Sequence, residues 1–434
     1  KRLEYIYEQN RAQALRQAIP NPVGVLSAVQ SENILKSAVS VLYMAVDSVS
    51  SYKAATSQAD LQYIQDGWEL EDQEATELHN STKNAMSYMF DMVRDYDFDG
   101  DYALSEEAIK DFVKCNLNNL FYREYRLRRK VRRHLLPYYK EAFPVGKNTN
   151  KMIVFMADGR KSHGGLADRL RGIVSTYEYC LNHRVDFRIH FTSPFNLEDL
   201  LLPNEYDWRI GAGEISYNPT FSTPVYIDSN SRYPEADCRF QRKMAEKYLG
   251  RDFRQIHIYT NMYYADDRFG LLFNKLFKPA PILQSWIDEN LQILGQNFIA
   301  LSFRFQNLLG DSVDGKIVYS PEEQRELINS CICQIELLRK TNPDSKKILV
   351  TADSGSFLKE VSKLDFVYLL PGKVGHMDST SQQDIQVHMK TFLDFFVLSH
   401  AKKIYLLITG KMYKSGFAKR AAKLNNIPFE EVEF

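Results

Sequence analysis

The chain has no excess of charge of either sign, few helix-breaking residues, few cysteines and no long apolar run. Lysine plus arginine and aspartate plus glutamate each total 55 among 434 residues, so the formal net charge is +0. A neutral chain offers no whole-surface attraction for nucleic acid, and any such contact must rest on a local patch. The 20 glycines and 15 prolines, with 44% hydrophobic and 25% charged residues, exclude a low-complexity chain and indicate a folded globular one. Five cysteines, Cys115, Cys180, Cys238, Cys331 and Cys333, are odd in number and scattered, which suits neither a disulfide framework nor a zinc site. Reduced thiols in a cytoplasm fit better, and Cys331 and Cys333, two apart in a predicted helix, face different sides. No segment approaches the ~18 uncharged apolar residues of a bilayer span. Lys1–Gln13 is charged and polar, and Lys1 in place of an initiator methionine leaves open a longer parent chain with a leader.

What is present divides into unlike parts, and the length suggests about two or three domains. Residues 1–115 read as helical throughout, with Met86, Met89, Phe90 and Val93 at helical spacing, Pro20 and Pro22 as a break, and Ser57 and Asp72 as helix starts. Residues 116–150 form a linker containing Arg123, Arg126, Arg128, Arg129, Lys130, Arg132 and Arg133 interleaved with Tyr125, Leu127, Val131 and Leu135. The four-residue recurrence of Leu127, Val131 and Leu135 predicts an amphipathic basic helix. Its readings are a solvated linker, a peripheral contact with anionic membrane through 123–135, or a nucleic-acid patch; zero net charge weighs against the last.

From Lys151 short apolar runs alternate with helical stretches, the pattern of parallel sheets covered by helices. Strands are predicted over Met152–Ala157 and Val185–Phe191, with a helix between them over Leu166–Leu181 whose one face carries Leu166, Leu170, Ile173, Val174, Tyr177 and Leu181. After a helix over Pro281–Leu294, strands follow over Phe298–Phe303, Lys347–Thr351, Phe366–Leu370 and Lys403–Ile408. Helices are predicted over Pro321–Arg339, Gln382–His400 and Ser415–Asn425. The expected fold class is α/β, two Rossmann-like domains over 151–280 and 281–434 preceded by an all-α region. Ligands of such sheets sit at the carboxyl ends of strands.

The stretch Asp158–Ser175, DGRKSHGGLADRLRGIVS, follows a strand and enters a helix. Gly164 and Gly165 let a ligand approach the backbone, and the helix start points free N–H groups at an anion. Its spacing is neither that of a Walker loop nor that of a dinucleotide fingerprint, so a tight structural turn is the other reading. GGLADRLRG resembles the GG-x-(A/G)-(D/N)-(R/Q)-(L/M) segment of the fucosyltransferases of the nodulation α-1,6 type and their α-1,2 and protein-O-fucosyl relatives. The resemblance continues in order. FIALSFRFQNLLGD, Phe298–Asp311, is similar to the strand whose H-x-R-x-G-D-like motif supplies an arginine to the donor diphosphate, and Arg304 matches that arginine. Ser302 and Phe303 stand where the histidine is expected, and Gly310-Asp311 arrives late. VTADSG, Val350–Gly355, looks like a donor-site loop, and Ser415 and Phe417 match a serine and aromatic beside the nucleotide.

The resemblance, over Met152–Phe434, implies a GT-B-like arrangement with an acceptor domain at 151–280 and a donor domain at 281–434. It implies GDP-fucose as donor, a glycan acceptor, inversion without a catalytic metal, and a role in bacterial polysaccharide biosynthesis. The donor site so implied comprises Gly164, Gly165, Arg169, Arg304, Asp353, Ser415 and Phe417. The chemistry agrees, since an arginine fork stabilises a departing diphosphate by bidentate hydrogen bonding. No D-x-D pair stands at a strand end in the second part. Asp158, His163 and Asp168 are three candidates for the general base.

A separate signal is DYDFDGDYALSE, Asp95–Glu106, which resembles an EF-hand loop: Asp95, Asp97, Asp99, Asp101 and Glu106 would ligate calcium, with Gly100 at the turn. Tyr102 and Ala103 depart from the usual pattern, and an acidic turn without metal is the alternative. Three classes follow for the whole: a fucosyltransferase-like enzyme, a catalytically inactive nucleotide- or glycan-binding module, and a helical calcium-binding scaffold with an appended α/β part. The change of character between Cys115 and Lys151 also allows separate origins for the two parts.

Overall fold

The computed structural model describes residues 121–142, 150–229, 234–312, 315–374 and 385–434. The region 1–115, with the acidic loop Asp95–Glu106 and Cys115, lies outside the described residues. The chain divides into two compact units, one built of residues up to Ala142 with Tyr217–Thr220 and Asn230–Arg251, the other of Phe143–Ser216, Phe221–Ser229 and Asp252–Phe434.

In the first unit the basic segment is a helix over Phe121–His134, and a second helix covers Pro234–Leu249. The predicted stripe is buried, with Leu127, Val131 and Leu135 at 3%, 5% and 1% exposure. These side chains are therefore already packed within the unit. Past the helix, the Glu141 carboxylate accepts the Tyr217 N–H at 2.7 Å, and Tyr139 meets the Tyr217 ring edge-on at 5.4 Å.

The second unit holds two parallel sheets, its elements numbered here in chain order. β1 (Met152–Ala157) is buried along its whole length, as a central strand covered on both faces must be. α1 (Leu166–His183) ends where Arg184 adopts φ 55° and its N–H reaches the Cys180 and Leu181 carbonyls. β2 (Asp186–Phe191) alternates, burying Phe187, Ile189 and Phe191. β3 (Leu201–Pro203) is a short strand, followed by β4 (Ser222–Ile227) and β5 (Gln255–Thr260). The order β2-β1-β5-β4 is parallel throughout. Pro224 is tolerated in β4 because that strand is an edge. Strand order reverses between β1 and β5, so the first crevice opens at their carboxyl ends.

α2 (Phe269–Leu276), β6 (Phe277–Pro279, antiparallel to β3) and α3 (Pro281–Leu294) lead to the second sheet. It is assembled from β7 (Ile299–Phe303), α4 (Pro321–Thr341), β8 (Ile348–Ala352), α5 (Gly355–Val361), β9 (Val367–Tyr368), α6 (Ile385–Leu398), β10 (Lys403–Ile408), α7 (Phe417–Leu424) and β11 (Phe429–Glu433). The order β11-β10-β7-β8-β9 places the second reversal between β7 and β10. α4 starts on a capping box, with the Glu323 N–H donating to Ser320 Oγ at 3.3 Å, the Ser320 N–H donating to Glu323 at 2.7 Å, and Pro321 at the first helical position. α2 and α7 cross closely because Gly270 has no Cβ; one there would overlap the Lys423 carbonyl. Asn274 then donates to the Leu424 carbonyl at 3.0 Å.

The α/β class holds, and several details correct the sequence reading. Leu181 is 42% exposed while Cys180 takes the buried position, because the last turn of α1 rotates its stripe off the sheet. Between residues 192 and 280, where no element was expected, lie four strands and two helices, and β11 adds a last strand. The helix expected over Gln382–His400 is described as Ile385–Leu398. Cys331 is buried and Cys333 exposed, and Cys180, Cys331 and Cys333 are free thiols. Among the described residues no helix is long and apolar enough to cross a membrane.

Candidate functional site

The loop between β1 and α1 fills the first crevice. Gly164 has φ +86°, a left-handed conformation that a Cβ would strain, and that Cβ would also overlap the Asp168 carboxylate. Gly165, by contrast, has an ordinary φ of −68° and caps the helix, its carbonyl accepting the Asp168 and Arg169 N–H groups at 3.1 Å each. The conformational demand therefore falls on the first glycine of the pair.

The three base candidates surround this loop in different settings. Asp158 is 7% exposed at its side chain and accepts from Tyr259 Oη at 2.9 Å and the Arg160 N–H at 3.1 Å. His163 is 3% exposed, lies stacked at 5.9 Å on Tyr259, and donates from Nδ1 to the Thr260 carbonyl at 3.2 Å. That bond makes Nε2 the basic ring nitrogen. Asp168, in the first turn of α1, is 36% exposed and pairs with Arg171 at 2.9 Å. Behind Asp158 two histidines are held neutral: burial pushes His257 down to about 3, with His190 and Arg160 adding to the effect, and burial also lowers His190.

Arg169, expected at the donor, is buried and committed to backbone. Its Nε donates to the Gly164 carbonyl at 3.1 Å and its Nη1 to the Ser193 carbonyl at 3.2 Å, with the guanidinium 5.3 Å from the Phe191 ring. In this arrangement it fixes the glycine loop from beneath.

The second crevice carries Arg304 directly after β7. Its Nη1 lies 3.3 Å from the Asp353 carboxylate, which also accepts the Phe305 and Gln306 N–H groups at 2.7 and 2.8 Å. Gln306 sits at φ 54°, so Asp353, at the end of β8, holds a strained turn and the arginine together. Burial pushes the Asp353 carboxyl up, while Arg304 and the two N–H groups pull it back. From the other side of the reversal the Tyr413 N–H donates to the Arg304 carbonyl at 2.9 Å. Ser415 accepts the Phe417 N–H at 3.2 Å, and Phe417 packs against Phe395 at 5.4 Å. Arg304, Asp353 and the loop to Ser415 thus meet at one switch point. Asp311 turns away to α5, where it accepts from Ser354 Oγ, Ser356 Oγ and the Ser356 N–H at 2.8, 2.8 and 2.9 Å.

Four residues near Asp168 were not singled out from sequence: Arg171, Tyr263, Asp266 and Arg420. Arg171 could have been found from its i,i+3 spacing to Asp168. Arg420 and Asp266, 3.4 Å apart, come from distant segments and left no local signal. Among the described residues no three His, Cys, Asp or Glu side chains converge as metal ligands.

No protein-family model matches the chain, and no curated protein matches it. Solved structures do. The chain is similar to NodZ α-1,6-fucosyltransferase soaked with GDP-fucose, at 15% identity and a TM-score of 0.43 over 64% of this chain and 93% of that one. It is similar to fucosyltransferase NodZ from Bradyrhizobium, at 15% identity and a TM-score of 0.42 over 63% and 93% of the two chains. It is also similar to POFUT1 in complex with GDP-fucose, at 9% identity and a TM-score of 0.36 over 67% and 99%. At these identities and scores the reading of the site rests on this chain's own residues.

Proposed function

We propose that residues 151–434 transfer fucose from GDP-fucose to a glycan hydroxyl, with inversion and without a catalytic metal. The 151–280 part would receive the acceptor and the 281–434 part the donor. The observation that carries this reading is Arg304, placed at the strand reversal between β7 and β10 and fixed there by Asp353. A cation held at that point in a half-buried setting suits a leaving group that gains negative charge in the transition state.

In the proposed reaction the acceptor oxygen attacks the anomeric carbon on the face opposite the diphosphate. The bond from that carbon to the phosphate oxygen breaks, its electron pair leaves with GDP, and Arg304 stabilises the charge. The acceptor proton passes to a base. We assign that role to Asp168, whose carboxylate is 36% exposed where Asp158 is 7% exposed and tied to Tyr259 and Arg160. Gly164 and Gly165 bring the backbone close to the substrate, and Ser415 and Phe417 line the nucleotide.

One feature favours the second reading, a binding module without turnover: Ser302 and Phe303 occupy the place of the histidine in the resembling motif, and both are buried. A thermal-shift panel of GDP-fucose, GDP-mannose, UDP-sugars and CMP-sialic acid, followed by a GDP-release assay, separates the two. GDP-fucose raising the melting temperature with GDP release supports transfer. A shift without release supports the binding module, and no shift with any nucleotide sugar removes both.

A further inference from the structure

The loop from β10 into α7 carries Ser415 and Phe417, and α7 itself holds its end. Arg420, one turn into the helix, folds its side chain back, and its Nη1 donates to the Gly416 carbonyl at 3.0 Å. The same carbonyl accepts the Arg420 N–H at 3.2 Å, so one residue grips the turn between Ser415 and Phe417 with both main chain and side chain. Gly416 suits that grip by its lack of a Cβ: its φ is an ordinary −81°, but a Cβ there would overlap Arg420 Nη1. Earlier in the loop the Tyr413 N–H is bonded to the Arg304 carbonyl at 2.9 Å, so Arg420 supplies a second fixed point.

Arg420 is in turn held from outside its helix. Its side chain is 10% exposed, and burial, followed by the neighbouring Arg171, works against its charge. Asp266 offsets this with a carboxylate 3.4 Å from Arg420 Nη2. That residue opens the short turn Asp266–Arg268 ahead of α2, and its carboxylate also meets Lys423 at 2.5 Å. The crossing of α2 and α7 does not need Arg420 for its strength, because Lys423 and the Asn274 bond to the Leu424 carbonyl tie the far end of α7. A planar fork can reach a carboxylate with one arm and a carbonyl with the other, which sets the angle of the turn as well as its place. We infer that Arg420, anchored by Asp266, is a positioning residue that presets the Ser415–Phe417 turn for the nucleotide. The inference rests on the donor site proposed above. A turn already in place spares the nucleotide the cost of ordering it on binding.

The test is calorimetric titration of the full chain with GDP, joined to KM and kcat for GDP-fucose and to melting temperatures. The proteins are the wild type, Arg420→Met, Gly416→Ala, their double variant and Lys423→Met. Arg420→Met fills the buried space without a donor, whereas Gly416→Ala keeps every charge and pushes the guanidinium off the carbonyl. Each should weaken GDP binding and raise KM about tenfold, the scale of one charge-assisted hydrogen bond, with kcat within about threefold. The double variant should bind no more weakly than Arg420→Met, because both changes act through one contact. Lys423→Met leaves Asp266 to Arg420 and should lower the melting temperature with GDP affinity unchanged. An equal loss of affinity in Lys423→Met, or normal affinity in Gly416→Ala with Arg420→Met either normal or unfolded, overturns the positioning role and leaves a latch. Turnover by the wild type in that case keeps the transferase. Multiplicative losses in the double variant show Gly416→Ala acting on the nucleotide directly and also overturn the role. GDP binding that depends on Arg420 in a protein without turnover keeps the role and assigns the binding module. No GDP binding by the wild type removes the donor site and this role together.

Discussion

Replacing Asp353 by Asn tests whether Arg304 works because it is held. The carboxylate makes three contacts, to the Phe305 and Gln306 N–H groups at 2.7 and 2.8 Å and to Arg304 at 3.3 Å. Asn keeps one acceptor oxygen, so one backbone N–H loses its partner and faces an amide NH2 instead. A hydrogen bond to a charged group contributes about 1.5–3 kcal/mol, and a buried unpaired donor costs a similar amount. Neutralising a buried carboxylate recovers part of its desolvation penalty, so the net loss should be about 2 kcal/mol. For a unit of this size that is a fall of at most about 4–8 °C in melting temperature. Gln306, at φ 54°, is then free to relax, and Arg304 leaves its position. Turnover should fall about 10- to 100-fold. Arg304→Ala should cost about a hundredfold or more in kcat, with the fold intact, the scale for a leading electrostatic group. Because Asp353 is assigned to act through Arg304, the double variant should be no slower than Arg304→Ala. GDP release followed by chromatography, in the four proteins of this cycle, reads the outcome. Independent, multiplicative losses would refute the positioning role, and near-normal turnover in Arg304→Ala would remove the arginine from the reaction.

Gly164→Val should lower both stability and donor turnover, since it strains a positive φ by about 1–2 kcal/mol and displaces Asp168. Gly165→Ala, at an ordinary φ, should leave the melting temperature within about 2 °C; Gly165→Val weakens nucleotide-sugar binding if its N–H region faces the ligand, and unchanged donor affinity by calorimetry would make the pair purely structural. EDTA should leave GDP-fucose turnover unchanged, and a loss restored by manganese would count against metal-independent transfer. His257, held neutral with its value pushed down to about 3 from 6.5, takes up a proton more readily when unfolded. Its stabilisation is full above pH 6.5 and is lost as pH falls toward 3, by up to about 5 kcal/mol. Denaturant titrations across that range should show the slope, and His257→Gln should flatten it; an unchanged slope in the variant would assign acid sensitivity elsewhere.

Much of the second unit was legible because its cues are local. Met152–Ala157 is a continuous apolar run, Asp186–Phe191 alternates, and Pro321 behind Ser320 announces a helix. The strands that were missed lack such cues: β4 contains Pro224, β5 buries Gln255 and His257 in a central position, and β11 carries Glu430, Glu431 and Glu433 on an edge. Those polar residues are tolerated by partners that only folding supplies, such as the Ser216 N–H donating to Gln255 at 2.8 Å. The glycine loop and Arg304 could be placed at strand ends from sequence, because a strand end is a local event. Which strands flank them could not, since the order β2-β1-β5-β4 depends on crossovers between segments up to a hundred residues apart. The meeting of Arg171 with Arg420, and of Arg304 with Asp353, belongs wholly to the tertiary structure. Contacts across such distances leave no periodicity in the chain: the packing of α1 against α7 brings Arg171 toward Arg420, and the pairing of β7 with β8 brings Arg304 to Asp353.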